Sequence, residues 1–365
     1  MSGTSLDGLD MAFCRFWMDE ASELRAETEQ ETRVETRHAL SLQTKWTYNI
    51  DASACIPYEK KWRTRLQNSP KLSGLDLLLL NSEYGSFVGD QVNGFMLEHK
   101  IRPELIASHG HTVFHQPQNK LSFQLGDGAA IYAKTGIPVV CDFRSVDVYL
   151  GGQGAPLVPV GDALLFQEYE YCLNLGGIAN ISFEKDGRRI AFDICGCNLL
   201  LNHLAGKAGL EYDNGGKSAR SGTIHKPLLD ALENMPYYRK NPPKSLDKET
   251  MLSEILPLIN QFDISTEDSL ATLCEHIAFR IAHAIQNTRG TMLITGGGAL
   301  NSYLVERIST LSGIKCHIPE LNIIEYKEAL VFAFLGLLRH LGEVNTLSSV
   351  TGAARDSIGG AEYGV

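Results

Sequence analysis

The first ten residues, Met1-Ser2-Gly3-Thr4-Ser5-Leu6-Asp7-Gly8-Leu9-Asp10, constrain this chain more than any other stretch. Gly3 permits a tight turn and a close approach of backbone to a ligand. The hydroxyls and amides of Thr4 and Ser5 suit phosphate oxygens. Asp7 and Asp10 are hard oxygen ligands of the kind that hold Mg²⁺. Met11-Ala12-Phe13-Cys14-Arg15-Phe16 reads as a strand, which sets Gly-Thr-Ser in a turn between two strands. No Gly-Lys-Ser/Thr follows, so this is not a Walker A loop. The same residues would also make an ordinary Asp/Gly/Ser turn. The arrangement recurs, however: Tyr171 to Leu175 reads as a strand, Gly176-Gly177 follows, and Ile178 to Phe183 reads as a strand again. With 365 residues the chain is long for one core and suggests two domains, each with its own glycine hairpin.

Charge and cysteine usage narrow the class. A formal net charge of -10 argues against a general nucleic-acid binder. No apolar run reaches the roughly 18 to 20 residues of a membrane helix. No basic and apolar signal segment is visible at the start, so a cytoplasmic protein is expected. The eight cysteines are scattered, with Cys195 and Cys197 the only close pair. Paired C-x-x-C ligands are missing, which disfavours structural zinc and favours reduced thiols.

Residues 21 to 45 alternate charged and β-prone residues and read as an exposed strand or edge region. Residues 71 to 100 read as a long helix, with Leu75, Leu78, Leu79, Tyr84, Phe87, Val88, Val92 and Phe95 at helical spacing. Leu105-Ile106-Ala107 reads as a short strand delivering Ser108-His109-Gly110-His111-Thr112 to its carboxyl end, where α/β folds place ligands. His109 and His111 would share one strand face, so a metal is conceivable with His115 nearby. A polar sugar or nucleotide site, or plain hydrogen bonding, is the other reading. Ile137 to Cys141 reads as a buried strand ending in Asp142-Phe143-Arg144. That Asp and Arg suit sugar hydroxyls or a carboxylate, or form a structural pair. Gly151-Gly152-Gln153-Gly154-Ala155-Pro156-Leu157 is too glycine-dense for mere connection.

In the second half, Asp193 falls at an expected strand-to-helix junction, with a helix from about Asn198 to Gly209. It could cap that helix, or act as a general base. Asn241-Pro242-Pro243-Lys244-Ser245 is the clearest loop. Helices are expected at about 249 to 260, 266 to 288 and 328 to 341. Thr291 to Ile294 reads as a strand running into Gly296-Gly297-Gly298, with a helix from about Asn301, an arrangement that suits an approaching nucleotide.

These motifs together resemble the anhydro-N-acetylmuramic acid kinase family, of the sugar kinase, actin and Hsp70 superfamily. The resemblance runs through MSGTSLDG-x-D at 1 to 10, SHG-x-T at 108 to 112, DFR at 142 to 144 and GGQGAPLVP at 151 to 159. It continues through LNLGGIAN at 173 to 180, FD with a following Asn at 192 to 198, PKS at 243 to 245, GGG-x-x-N at 296 to 301, EAL-x-FA at 328 to 333 and VTGA at 350 to 353. It implies an α/β, two-lobed actin-like or hexokinase-like ATPase fold, each lobe a ribonuclease-H-like mixed sheet flanked by helices, with an interdomain cleft. The lobes are expected over 1 to 141 plus about 343 to 365, and over 142 to 342. It implies ATP and Mg²⁺ as cofactors, a homodimer, and a reaction in peptidoglycan recycling. That reaction opens the 1,6-anhydro bond with water and phosphorylates O6, giving N-acetylmuramic acid 6-phosphate and ADP.

On this resemblance Asp193 is the catalytic base. Gly3, Thr4, Ser5, Leu6, Asp7, Gly8, Leu9, Asp10, Gly176, Gly177, Gly296, Gly297 and Gly298 meet the nucleotide, and Asp7 and Asp10 the metal. Ser2, His109, His111, Arg144, Asn198 and Glu328 meet the sugar.

The chain departs from the family pattern in several places. His111 stands where Gln is common, Ser145-Val146 where further arginines are common, and Cys195-Gly196-Cys197 where a Gly-Pro-Gly stretch is usual. An apolar strand is expected ahead of Met1 to complete the opening hairpin. Two other functions stay open on the sequence: a kinase for another sugar, and a non-catalytic actin-like nucleotide-binding protein.

Overall fold

A computed structural model describes residues 1, 7–18, 45–242, 244–285 and 289–365. The expected turn at Gly3-Thr4-Ser5, with Ser2 and Leu6, lies outside the described residues, as does all but the last residue of the strand expected over 21 to 45. The described residues group into two compact units, Met1–Gln167 with Tyr326–Val365, and Glu168–Glu325.

The first unit opens with β1 (Gly8–Met18), which pairs antiparallel with β2 (Trp46–Pro57) around a bulge at Phe13/Cys14. Met1 also bonds to Asp10 through both backbone groups, at 2.6 and 2.9 Å. Helix α1 (Lys60–Asn68) precedes α2 (Gly74–His99), the long helix that the periodicity calls for. The Ser73 hydroxyl caps α2 by accepting from the Asp76 amide, and Lys100 ends it in the left-handed region. Only part of the expected apolar face is buried. Tyr84, Val88 and Phe95 enter the core, whereas Leu75, Leu78 and Leu79 are exposed.

Strand β3 (Ile106–Ala107) leads to a hairpin, β4 (His111–Gln116) and β5 (Leu121–Leu125), whose pairing is not anticipated from the sequence. Helix α3 (Gly128–Thr135), capped by Asp127, runs into the fully buried β6 (Val139–Cys141). Helices α4 (Ser145–Tyr149) and α5 (Val158–Leu165) follow.

The second unit is a five-stranded mixed sheet built from β7 (Tyr171–Leu175), β8 (Ile178–Lys185), β9 (Arg188–Gly196), β10 (Thr291–Thr295) and β11 (Lys315–His317). Its order is β11-β10-β7-β8-β9. The first three strands form an antiparallel meander and the last two add parallel, which is the ribonuclease-H-like order. Helices α6 (Asn198–Lys207), α7 (Lys226–Glu233), α8 (Thr266–Ala284) and α9 (Ser302–Ser312) flank it. Leu270, Leu273, Ile277 and Ile281 of α8 and Leu173, Leu175 and Ile181 of the sheet share one buried cluster. The helix expected over 249 to 260 is present over 248–259, with a π turn at Met251–Ile255 in its middle.

The chain re-enters the first unit within α10 (Leu321–His340) and ends in β12 (Ala361–Tyr363), which pairs antiparallel with β6. The first unit's strands fall into three ladders: β1-β2, β12-β6-β3 and β4-β5. The unit boundaries lie at 167/168 and 325/326 rather than at the expected 141/142 and 342/343. The reason is specific bonding. Lys327 of α10 pairs with Asp162 of α5 at 2.7 Å, and buried Asp147 of α4 accepts the Thr351 hydroxyl at 2.6 Å.

Candidate active site

Each unit gathers its own cluster of the expected residues. In the first, the centre is Arg144, at the N-terminus of α4. Its Nε and Nη2 both donate to Nε2 of His109, at 3.1 and 2.8 Å, and its Nη1 donates to the Gly154 carbonyl at 2.6 Å. Nδ1 of His109 donates to the Gly110 carbonyl at 3.0 Å. Both ring nitrogens are thereby occupied, which leaves His109 no lone pair for a metal. His109 also precedes β4 rather than sharing a strand face with His111, because Gly110 turns the chain at φ 73°. Burial, and then the guanidinium beside it, pull the His109 pKa down to about 3, so the ring is neutral. Burial also lowers the pKa of His111, which lies in β4 opposite Leu125.

The structural Asp142–Arg144 pair does not form. Asp142 is exposed, sits at φ 55°, and accepts from the Ser145 hydroxyl at 2.6 Å. No carboxylate lies within ion-pair distance of Arg144 among the described residues. Burial lowers the Arg144 pKa, and the charge of Glu328 in α10 opposes that fall. Glu328 keeps solvent access, yet the surrounding protein pushes its carboxyl up, opposed by the chain's amino terminus and Arg144. A guanidinium already holding two neutral acceptors, next to a carboxylate with raised pKa, suits a polar anionic ligand.

The glycine-dense loop is what places Arg144. Asp147 accepts the Gly154 amide at 2.7 Å, and the Gln153 amide donates to the Thr351 carbonyl at 2.9 Å. Gly154, at φ 65°, leaves no room for a Cβ, which would sit 2.7 Å from Val148. Thr351 belongs to the VTGA motif, so the two stretches answer to one another structurally. The Asp147–Thr351 contact is a site support that sequence reading missed; the signal was an isolated Asp in a short apolar helix.

Asp7 is exposed and Asp10 half-buried. Gly8 is required by the ladder, since a Cβ there would lie 2.6 Å from the Ile56 carbonyl. The Leu9 side chain belongs to the core, which leaves its backbone alone for any ligand. A cavity of about 500 Å³ bounded by β1, α2, β3 and α10 touches this polar group only through Met1, Asp10 and Ser108; its walls are otherwise mainly apolar, including Phe95, Ile106 and Phe332.

In the second unit the two glycine loops meet at Asn198. Its Nδ2 donates to the Leu175 carbonyl at 2.8 Å and its amide to the Gly176 carbonyl at 3.0 Å. Asn198 also lies beside Gly297 and Gly298. It thus ties the Gly176-Gly177 turn to the Gly296–Gly298 turn. Gly296 adopts φ 77° with its missing Cβ 2.5 Å from Asn174 Oδ1. Gly177 and Gly297, by contrast, face almost open space, with nothing nearer than 3.8 and 3.7 Å.

Asp193 is not at a strand-to-helix junction. It lies within β9, opposite Asn180 and just before a bulge, and α6 begins only at Asn198. It therefore caps no helix. A segment far along the chain clamps it instead: the Asp193 amide donates to the Lys244 carbonyl at 3.1 Å, and the Asp193 carbonyl accepts the Tyr237 hydroxyl at 2.6 Å. Its Oδ2 accepts the Leu246 amide at 2.8 Å. Burial raises the Asp193 pKa, and the Leu246 amide opposes the rise. The carboxylate keeps a second oxygen for which no protein donor is present among the described residues, the arrangement of a base held at one end.

A family model described as anhydro-N-acetylmuramic acid kinase matches residues 1–364. The anhydro-N-acetylmuramic acid kinase of Sulfurimonas denitrificans is 34% identical over 385 residues, covering 100% of this chain and 98% of that protein. That of Sulfurovum sp. is 33% identical over 378 residues, covering 100% and 97%. Among solved structures, a ROK family glucokinase from Streptomyces griseus in complex with glucose and AMPPNP aligns at 10% identity with a TM-score of 0.35, covering 80% of this chain and 96% of that one.

Proposed function

Because this chain belongs to the anhydro-N-acetylmuramic acid kinase family, we propose that it uses ATP to open 1,6-anhydro-N-acetylmuramic acid and phosphorylate O6. The full-length family match carries the reading. Asp193 takes a proton from water as the water attacks the anomeric carbon. The C1–O6 bond breaks, and the freed O6 attacks the γ-phosphoryl group to release ADP. A positioned base of this kind contributes about 10² to 10⁴ in rate. The phosphoryl step rests mainly on positioning and charge neutralisation.

We assign the nucleotide to the second unit, where Gly176, Gly177 and Gly296–Gly298 converge on Asn198. We assign the sugar to the first, where His109 holds Arg144 for an anionic group and Glu328 serves the polar face, with His111 behind. Asp7, just ahead of β1, and Asp10, within it, fit Mg²⁺ as oxygen donors with solvent access. Mg²⁺ would neutralise phosphate charge there. The reading extends to a homodimer working in the cytoplasm, in keeping with eight free cysteines and with the lack, among the described residues, of a helix long and apolar enough to cross a membrane.

The test is a coupled ADP-release assay with the anhydro sugar, plus and minus Mg²⁺, on wild type and Asp193→Asn. We expect sugar-dependent ADP release that needs Mg²⁺ and falls at least about 10²-fold in the variant, with ATP still bound. Turnover of ordinary hexoses but not the anhydro sugar would overturn the substrate assignment, and full turnover by the variant would overturn the base.

A further inference from the structure

The segment that clamps Asp193 is itself held by a buried polar chain that the proposed chemistry does not use. Tyr237 and Tyr238 share a 3₁₀ turn, Pro236–Arg239, with their rings 5.4 Å apart and nearly perpendicular at 81°. Tyr237 points to Asp193. Tyr238 points the other way: its hydroxyl donates to Nε2 of His276 at 2.8 Å, and Nδ1 of His276 donates to Oε1 of Glu233 at 2.5 Å. Glu233 is the last residue of α7, while His276 and Arg280 lie one turn apart on α8. The Arg280 guanidinium sits 3.9 Å over the Tyr238 ring, and its Nε lies 3.2 Å from the second Glu233 oxygen.

This grouping is expensive. The His276 side chain is 2% exposed and Arg280 is 11% exposed. Apolar side chains of similar volume would join α7 to α8 as well or better, since ion pairs repay little of their desolvation. What apolar packing would not supply is direction. Each hydrogen bond fixes one ring rotation, from Glu233 to the imidazole and from the imidazole to the Tyr238 hydroxyl. Tyr238 follows Tyr237 in the same 3₁₀ turn, so anchoring the Tyr238 side chain restrains the backbone that carries Tyr237.

We infer that Glu233, His276 and Tyr238 are positioning residues that hold Tyr237, Lys244 and Leu246 against the proposed base, Asp193. The inference rests on the reading of Asp193 as that base. Its consequence is specific. Leu246 reaches the carboxylate only while the segment is seated, and its amide opposes the upward pull of burial. The titratable group facing Asp193 is Tyr237 from the 3₁₀ turn, and the Lys244 ammonium lies over the Tyr237 ring at 4.8 Å. Unseating the segment moves all of these together.

Tyr238→Phe removes one hydroxyl and no volume, and Glu233→Gln removes the charge at the other end. We expect each to lower kcat about tenfold with KM for ATP unchanged. The acid limb of the pH profile of kcat/KM should shift upward in both, because the Asp193 carboxyl loses its amide donor. The double variant should lose no more than either single one. Asp193→Asn run alongside separates the two readings: if it keeps full turnover, the base assignment fails. If it is inactive while Tyr238→Phe and Glu233→Gln show wild-type kcat and an unmoved acid limb, the positioning role fails. Should Tyr238→Phe not fold, Glu233→Gln alone decides by the same two readouts.

Discussion

His109 is kept neutral by burial and by the guanidinium it accepts from, and that has a measurable consequence. In the folded chain it titrates at about 3, against an ordinary value of 6.5. Between those values the unfolded chain holds the extra proton, so stability rises with pH across that window and falls as pH drops from about 6.5 toward 3. His109→Gln removes this contribution while leaving an acceptor for Arg144. We expect thermal melting of wild type to fall more between pH 7 and pH 5 than that of His109→Gln, and equal falls would sink the argument. The partner of Arg144 was not legible beforehand. Asp142, two residues away, is the obvious candidate, but Asp142 in the left-handed region turns to Ser145, and the guanidinium reaches a histidine 35 residues off.

Among elements, the glycine turns were the most legible part of the site and also the part most easily tested. Gly296→Ala forces a Cβ into a left-handed position 2.5 Å from Asn174 Oδ1 and 2.9 Å from the Leu175 backbone. We expect it to destabilise by about 1–3 kcal/mol, read from denaturant unfolding. Gly297→Ala meets nothing closer than Asn198 Nδ2 at 3.7 Å, so the fold should change by less than about 0.5 kcal/mol. If the nucleotide approaches there, its KM for ATP should nonetheless rise severalfold; an unchanged KM would remove Gly297 from the nucleotide contacts. The β4-β5 hairpin was missed for a physical reason. β5 alternates as Leu121-Ser122-Phe123-Gln124-Leu125, but β4 does not, and the 3₁₀ turn between them is closed by Lys120 at φ 54° rather than by a glycine, so no hairpin pattern spans the pair.

Across the whole molecule, none of the eight cysteines is in a disulfide, and their environments differ sharply. Cys141, Cys172, Cys195, Cys197 and Cys274 are buried, and burial raises Cys141 and Cys197 to about 12. Cys55 is exposed on β2. Because the thiolate is the reactive form, we expect one fast-reacting thiol in a titration of the native protein with a disulfide reagent, lost in Cys55→Ser. The five buried thiols should react only on unfolding; early reaction of more than the exposed and half-buried ones would contradict the packing of both cores.

The order of motifs, the Gly176-Gly177 and Gly296–Gly298 turns, the long helix α2 and the family were all determined by the sequence, because each is local. A glycine reports the backbone angle its own position needs, and apolar spacing reports the period of one element. The tertiary structure alone decided which polar groups meet. Asp193 is clamped by Leu246, 53 residues on, and Asp147 holds Thr351 across 204 residues. Tyr238 finds His276 only because α8 packs beside the turn that carries it. Such pairs depend on where whole elements pack, and no periodicity along the chain encodes that.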